Sequence, residues 1–276
     1  MNPNGSKPVS RVSDSNYLRN EQYRNSTNLD ARIALHARFS VNPQGWQRWV
    51  FDQISQPMEA RLLELGCGSG ALWQQNLERI PLDWKIHLSD LSTGMLRQAR
   101  DNLIEQMQSA YFQTIDAMAI PYPDASFEAV IANHMLYHVL DRQRALAEIR
   151  RVLKPGGQLY ATTVGEGHLV ELYELVQRFD SQIAADGWYL EPIDFSLENG
   201  HSELSACFKT AQVQRYEDAL EVTQIEPLVD YILSTVRLGL GEERRQDLFQ
   251  YIQTQIDASG GAIRITKDSG MFIACV

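Results

Sequence analysis

The residues with the clearest chemical use lie in one short stretch. Leu62-Leu63-Glu64-Leu65-Gly66-Cys67-Gly68-Ser69-Gly70 reads as a buried strand, a glycine-rich turn and the start of a helix. Glycine lets a backbone adopt conformations that a Cβ forbids, and lets it pass close to a ligand. The carboxyl edge of a doubly wound sheet is where such folds take ligands. The spacing is G-x-G-x-G, not the G-x-G-x-x-G of the dinucleotide fingerprint, and an acid, Glu64, precedes it within the strand. Asp90, Asp116-Ala117 and Asn133 each follow a later predicted strand, so all would stand on the same sheet edge. His134 and His138 are four residues apart, so on a helical turn they share a face. Histidine titrates near neutral pH and suits a general base. The alternative is that one or both cap a helix or hydrogen-bond the backbone.

The elements that must position these groups are legible from periodicity. Two amphipathic helices are expected between Asn28 and Ile54. The first carries Leu29, Ile33, Ala34 and Ala37 on one face. The second follows Asn42-Pro43, a cap residue and a proline suited to a helix start, and carries Trp46, Trp49, Val50 and Ile54. The tryptophans on that stripe read as core. From Arg61 the chain alternates. Strands are expected at 61–65, 84–88, 111–115, 127–132 and 158–164, with helices at 71–79, 92–106 and 141–153 between them. Such alternation, with nearly continuous apolar strands, means a parallel sheet covered on both faces. Beyond Val164 a helix is expected at 169–179. A mixed stretch follows, with turn signals at Asp186-Gly187 and Asn199-Gly200. Then come a strand within 211–222, helices at 228–238 and 243–256, and a final strand at 271–276.

Taken together, Glu64-x-Gly66-x-Gly68-x-Gly70, Asp90, Asp116, Asn133 and Leu153-Lys154-Pro155-Gly156-Gly157 resemble the motif set of class I S-adenosylmethionine (SAM)-dependent methyltransferases. The likeness is strongest to the small-molecule branch that includes the ubiquinone and menaquinone C-methyltransferases, and spans about residues 58–164. It implies an α/β Rossmann-like sandwich: a mostly parallel seven-stranded sheet with one reversed strand, a helical N-terminal lid and inserted cap helices. It divides the chain into an arm and lid (1–55), a SAM-binding core (56–164) and substrate-side helices and strands of the same domain (165–276). It implies S-adenosyl-L-methionine as cofactor, held by Glu64, Gly66, Cys67, Gly68 and Gly70. Asp90 and Leu91 would lie at the ribose, Asp116 and Ala117 at the adenine, and Asn133 near the methionine part. A carboxylate suits the ribose because it accepts hydrogen bonds from both hydroxyls.

Methyl transfer is an in-line displacement that needs alignment and the loss of one proton. His134 and His138 are the candidates for catalysis. Tyr23, in the N-terminal arm, is placed on the cofactor side, and Tyr17, Tyr137 and Thr163 on the substrate side. Tyr160, Thr162, His168 and Trp188 are further candidates. His36 and Arg32, one turn apart, read as a solvated or capping face. The fourth strand ends in Asn133-His134 without the paired carboxylates of Mg²⁺-using catechol methyltransferases. Asp141 begins the next helix, where capping accounts for it. No metal is expected.

The chain has 276 residues, with 25 Lys and Arg against 35 Asp and Glu, and a net charge of −10. Most of the acidic excess lies beyond Val164. Phosphate backbones are repelled by such a surface. The site after strand four, Asn133-His134-Met135-Leu136, lacks the Asn/Asp-Pro-Pro-aromatic pattern of nucleic-acid amino-methyltransferases, so a nucleic-acid partner is not expected. No apolar run is long enough for a membrane span. Cys67, Cys207 and Cys275 match no zinc or disulfide framework. With no apolar signal core near the start, the expected location is cytoplasmic. The expected function is methyl transfer to a small organic acceptor through C, O or N. Two rivals remain at this point: a NAD-dependent oxidoreductase, and a non-catalytic SAM-binding regulator or partner protein. A homo-oligomer joined through Trp46 and Trp49 stays open.

Overall fold

The computed structural model describes residues 27–186, 193–235 and 242–276. Seven strands form one sheet in the order β3-β2-β1-β4-β5-β7-β6. They are β1 (Arg61–Leu65), β2 (Lys85–Asp90), β3 (Tyr111–Thr114), β4 (Phe127–Asn133), β5 (Leu153–Val164), β6 (Thr210–Val222) and β7 (Ile263–Cys275). Strands β1 to β5 pair in parallel, and only β7 runs against its neighbours. This is the mostly parallel sheet with one reversed strand that the motifs implied.

Alternate side chains of the central strands leave on opposite faces, as the two-residue period of a strand requires. Leu63 and Leu65 of β1, Val130 and Ala132 of β4, and Leu159 and Ala161 of β5 pack beneath α5 (Arg142–Val152) and Phe195. Leu62, Ala129, Ile131 and Tyr160 pack on the other face, beneath α2 (Trp46–Gln53), α3 (Ala71–Gln74) and α4 (Thr93–Leu103). Ser92 caps α4 by accepting from Met95 N, and Asp141 caps α5 by accepting from Arg144 N.

A third apolar core contains no residue of β1 to β5. Strand β5 pairs with β7 only as far as Val164 opposite Ser269, while β6 and β7 continue together to Val222 opposite Ile263. That projecting ribbon carries Leu220, Val222, Ile263 and Ile265 into a cap formed with α1 (Thr27–Phe39), α6 (Val170–Phe179), α7 (Ser181–Asp186), α9 (Ile225–Leu233) and α10 (Glu242–Ala258). The short α8 (Gly200–Cys207) stays with the sheet, where Leu204 joins the α5 side.

Several local expectations are corrected. In α1 the buried side chains are Leu35 and Phe39, while Ile33, Ala34 and Ala37 face outward, because the helix packs on α9 and β6. Helix α2 begins at Trp46 after Gly45, not at Pro43, because Asn42 is drawn to β6. Its amide donates to Glu217 O, and its backbone N–H donates to Asp218. The helix expected over 71–79 breaks after Gln74 into a short 3-10 turn, Leu77–Arg79. Asn199-Gly200 opens α8 and is no simple turn. Strand β7 starts at Ile263, eight residues before the expected start. The polar run Thr266-Lys267-Asp268-Ser269-Gly270 hides an alternating strand with Ile263, Ile265 and Lys267 turned inward.

Candidate active site

The glycine turn is built on left-handed backbone. Gly66, Gly68 and Gly70 have φ of 71°, 55° and 79°, a region that a Cβ disfavours. The three glycines differ in what a side chain would meet. A Cβ on Gly66 would come within 2.8 Å of the Met135 side chain, and one on Gly70 within 2.6 Å of Leu103. A Cβ on Gly68 would meet nothing nearer than Met95 Cε at 3.8 Å. Gly66 and Gly70 are therefore needed by the packing of the protein itself, whereas Gly68 leaves a cradle that a side chain would fill.

Asp90 ends β2 beside that cradle. Its carboxylate accepts from Gly68 N at 3.0 Å and from Ser92 N at 2.8 Å, and burial raises its proton affinity. Leu91 follows it, partly buried. Glu64 is buried beneath the turn, and its carboxylate accepts from Trp73 Nε1 at 2.6 Å. Burial pushes its pKa up to about 8, against the bond from Trp73. Glu64 thus ties β1 to α3. Cys67 is buried with its thiol pKa raised by burial, and its backbone N–H joins Ser89 O. Asp116 accepts from Met118 N at 2.9 Å in a tight turn after β3, with Ala117 buried.

At the end of β4, Asn133 is held from three directions. Trp46 Nε1 and Thr162 Oγ1 donate to its Oδ1 at 3.3 and 2.7 Å, and its amide donates to Gln47 Oε1 at 3.3 Å. His134 then takes a left-handed φ of 52° and donates its backbone N–H to Thr162 Oγ1. A non-glycine residue in this region is uncommon. Its ring lies 4.9 Å from that of Trp46. Burial, with help from Lys267 and His138, lowers the His134 pKa to about 4. The imidazole is therefore neutral throughout the physiological range.

His134 and His138 do not share an α-helical turn. The helical segment there is a single 3-10 turn, Leu136–His138, which excludes His134. Tyr137 lies between the two histidines, its ring 6.3 Å from His134 and 4.5 Å from His138. Thr163 is also displaced from its expected place. Strand alternation turns it to the opposite face, where it donates to Phe195 O, so Thr162 is the threonine at Asn133. Tyr17, Tyr23 and Trp188 lie outside the described residues.

Sequence reasoning missed a group at the seam between sheet and cap. Lys267 and Asp218 face each other across β6 and β7 as an ion pair, both nearly withdrawn from solvent, with Ser40 donating to the same carboxylate. The Tyr216 ring lies 5.6 Å from Lys267 Nζ and within 5.3 Å of both Trp46 and Trp49. Trp46 and Trp49 are thus half-buried against Tyr216. His36 is not solvated: it stacks on His168. No local spacing signals these pairings, because they join residues from distant parts of the chain. Among the described residues no group of three His, Cys, Asp or Glu is arranged to hold a metal. No helix there is long and apolar enough to cross a membrane.

Comparison with known proteins agrees with this geometry. Residues 63–161 match the family model described as a methyltransferase domain. The chain is 32% identical over 116 residues to the ubiquinone/menaquinone biosynthesis C-methyltransferase UbiE of Hahella chejuensis, covering 41% of this chain and 47% of that protein. It is 30% identical over 142 residues to the malonyl-[acyl-carrier protein] O-methyltransferase of Pseudescherichia vulneris, covering 50% and 53%. The chain thus spans about half the length of these relatives. Among solved structures, it resembles phosphoethanolamine N-methyltransferase 2 of Haemonchus contortus with a TM-score of 0.58 and 20% identity, over 98% of this chain and 61% of that one. The fold is that of the Rossmann-like methyltransferases.

Proposed function

We propose that this protein transfers a methyl group from S-adenosylmethionine to a small organic acceptor. The observation that carries the reading is the open cradle at Gly68, closed on one side by the half-buried Asp90 carboxylate, within the segment that matches a methyltransferase domain. A pair of backbone-held carboxylate oxygens suits two vicinal hydroxyls, and a glycine with room where its Cβ would be suits close approach of a flat or charged ligand. When bound, the cofactor supplies a methyl group already activated on a sulfonium.

The roles of the protein groups follow from their places. Gly66, Cys67, Gly68 and Gly70 shape the turn. Asp90 and Leu91 border the ribose position, and Asp116 and Ala117 the adenine position. Asn133, fixed by Trp46, Gln47 and Thr162, holds the methionine end. Residues of α2 and the segment before it act as a lid over that end, and the cap supplies the acceptor side. His134 presents a neutral imidazole towards the acceptor. A pKa near 4 is far from the optimum for a base at neutral pH, so alignment contributes more to rate than proton removal by this ring. The three free thiols support a reducing compartment, the cytoplasm.

The named relatives carry methyl to carbon, oxygen and nitrogen, so the family resemblance leaves the acceptor atom open. The test uses methyl-labelled SAM, purified protein and fractionated cell extract, with Gly68→Val as control. Label in a small organic product, absent with the variant, supports the reading. Cofactor binding without label in any fraction or acceptor panel would favour a non-catalytic binder, and label in protein a macromolecular substrate.

A further inference from the structure

Two imidazoles stack where the sheet gives way to the cap, and a third ring and one ammonium influence their protonation. His36 comes from the last turn of α1, His134 from the end of β4, and His168 from the turn after β5. The His36 and His168 rings stack with centroids 6.2 Å apart and planes within 16°, and Tyr231 meets His36 edge-on at 5.9 Å. Burial lowers the proton affinity of all three rings most; Lys267 adds to it at each, at His168 after His36 and His134. At His36 the influence of Lys267 exceeds that of its counter-ion Asp218.

This cluster is not fully matched within itself. His36 Nδ1 is buried and has no hydrogen-bond partner among the described residues. His168 has partners in Ser269 Oγ, 3.5 Å from its Nδ1, and the backbone of Asp268, so His36 Nδ1 is the unmatched atom of the stacked pair. Buried polar atoms are paired in the great majority of cases, and an exception calls for an explanation. A phenylalanine would fill the place between His168 and Tyr231 without leaving a polar atom unmatched. The cluster lies beyond the carboxyl ends of β4 and β5, the edge where doubly wound sheets bind their ligands, and His134 connects it to Asn133.

We propose that His36, backed by the stacked ring of His168, forms the acceptor-recognition site and receives an oxygen of the small-molecule acceptor, as hydroxyl, carbonyl or carboxylate. The proposal rests on the methyl-transfer reading above. A neutral imidazole donates one N–H to such an oxygen, and a ring whose proton affinity Lys267 helps to lower is a poor partner for an ammonium group. The acidic surface of the cap has little say in this choice, since a buried charge nearby acts through a lower dielectric than solvated charges do.

The experiment compares wild type with His36→Phe and His36→Asn. Calorimetry with S-adenosylhomocysteine comes first, and all three proteins should bind it equally. Failure of the wild type to bind would overturn the methyl-transfer reading and this site with it. The S-adenosylhomocysteine-loaded proteins are then melted with millimolar benzoate, phenol or benzylammonium. Benzoate and phenol should raise the wild-type Tm and benzylammonium should not. His36→Phe should weaken the response about tenfold, as expected for one lost hydrogen bond, and His36→Asn should recover part of it. Without ligand, His36→Phe should melt no lower than wild type, because it removes an unmatched atom. Equal responses in wild type and His36→Phe, preference for benzylammonium, or no response to any probe would overturn the site while leaving the methyl-transfer reading intact. So would a lower unliganded Tm for His36→Phe, since Nδ1 would then have an internal partner.

Discussion

The glycine turn and the sheet–cap seam both hold ionisable groups withdrawn from solvent, but they are built in opposite ways. At the turn, Asp90 is held by backbone N–H groups of Gly68 and Ser92, and Glu64 by Trp73, nine residues on. Every partner belongs to the same β-α-β succession. At the seam, Lys267 meets Asp218 from a neighbouring strand, and Ser40, from near the start of the described chain, donates to the same carboxylate. The turn is specified by short spacings that recur wherever this ligand geometry is needed. The seam exists only after β6, β7 and α1 have been brought together. The contrast separates a site that the backbone makes from one that the tertiary packing makes.

The largest expected effect tests the seam. Asp218→Asn leaves the Lys267 ammonium buried without its counter-ion, and should cost about 3–5 kcal/mol in denaturant unfolding. Lys267→Met with Asp218→Leu should cost much less than the sum of the single changes. If Asp218→Asn is neutral, the pair is not the anchor of the cap.

The glycines give the next test. Gly70→Ala forces a Cβ against Leu103 and should lower stability by roughly 1–3 kcal/mol. Gly68→Val meets open space, so it should fold with a smaller loss from its left-handed φ alone, yet lose S-adenosylhomocysteine binding in calorimetry. Equal stability losses at the two positions would break the distinction between the packed and the open glycine.

Titration separates the regions by sign. His36 and His134 have folded pKa values lowered to about 3 and about 4, and His168 is lowered too. Their folded state therefore prefers the neutral ring, and the unfolded chain takes up more protons below pH 6.5. Stability should fall as pH drops from 6.5 towards 4, with a Tm decrease of order 10 °C. Glu64 acts at the other end: its folded pKa of about 8 means that stability falls as pH rises from about 4.5 through 8. His36→Phe should reduce the acid slope, and Glu64→Gln the alkaline one. Melting curves from pH 4 to 9 check both.

The smallest effects concern β5. Thr162→Val removes the acceptor of His134 N–H and the donor to Asn133, and Thr163→Val removes the bond to Phe195 O. Each should cost about 1–2 kcal/mol, but only Thr162→Val should also weaken cofactor binding. Equal binding losses would mean that the two faces of β5 are wrongly assigned to these roles.

Much of the fold was legible because parallel β-α units write themselves in local patterns. The apolar runs of β1 and β4, the Ser92 and Asp141 caps, and the glycine cluster each need only a few neighbouring residues. Helix α1 was read with the wrong face, because its apolar residues lie on more than one side and its burial depends on α9 and β6. Strand β7 was read short, because Lys267 on an inward position looks like a surface residue until Asp218 is seen opposite. Thr162 and Thr163 are chemically equivalent in sequence, and only the register of β5 against β4 turns one of them to Asn133.

By itself, then, the sequence determined the sheet's parallel half and the glycine turn at its edge, since hydrophobic period, caps and backbone-permissive glycines act within a few residues of one another. The tertiary structure alone decided which histidines meet, which threonine reaches Asn133, and that Lys267 is buried. Those outcomes depend on strand register and on contacts between segments as distant as Ser40 and Asp218, which no local propensity encodes.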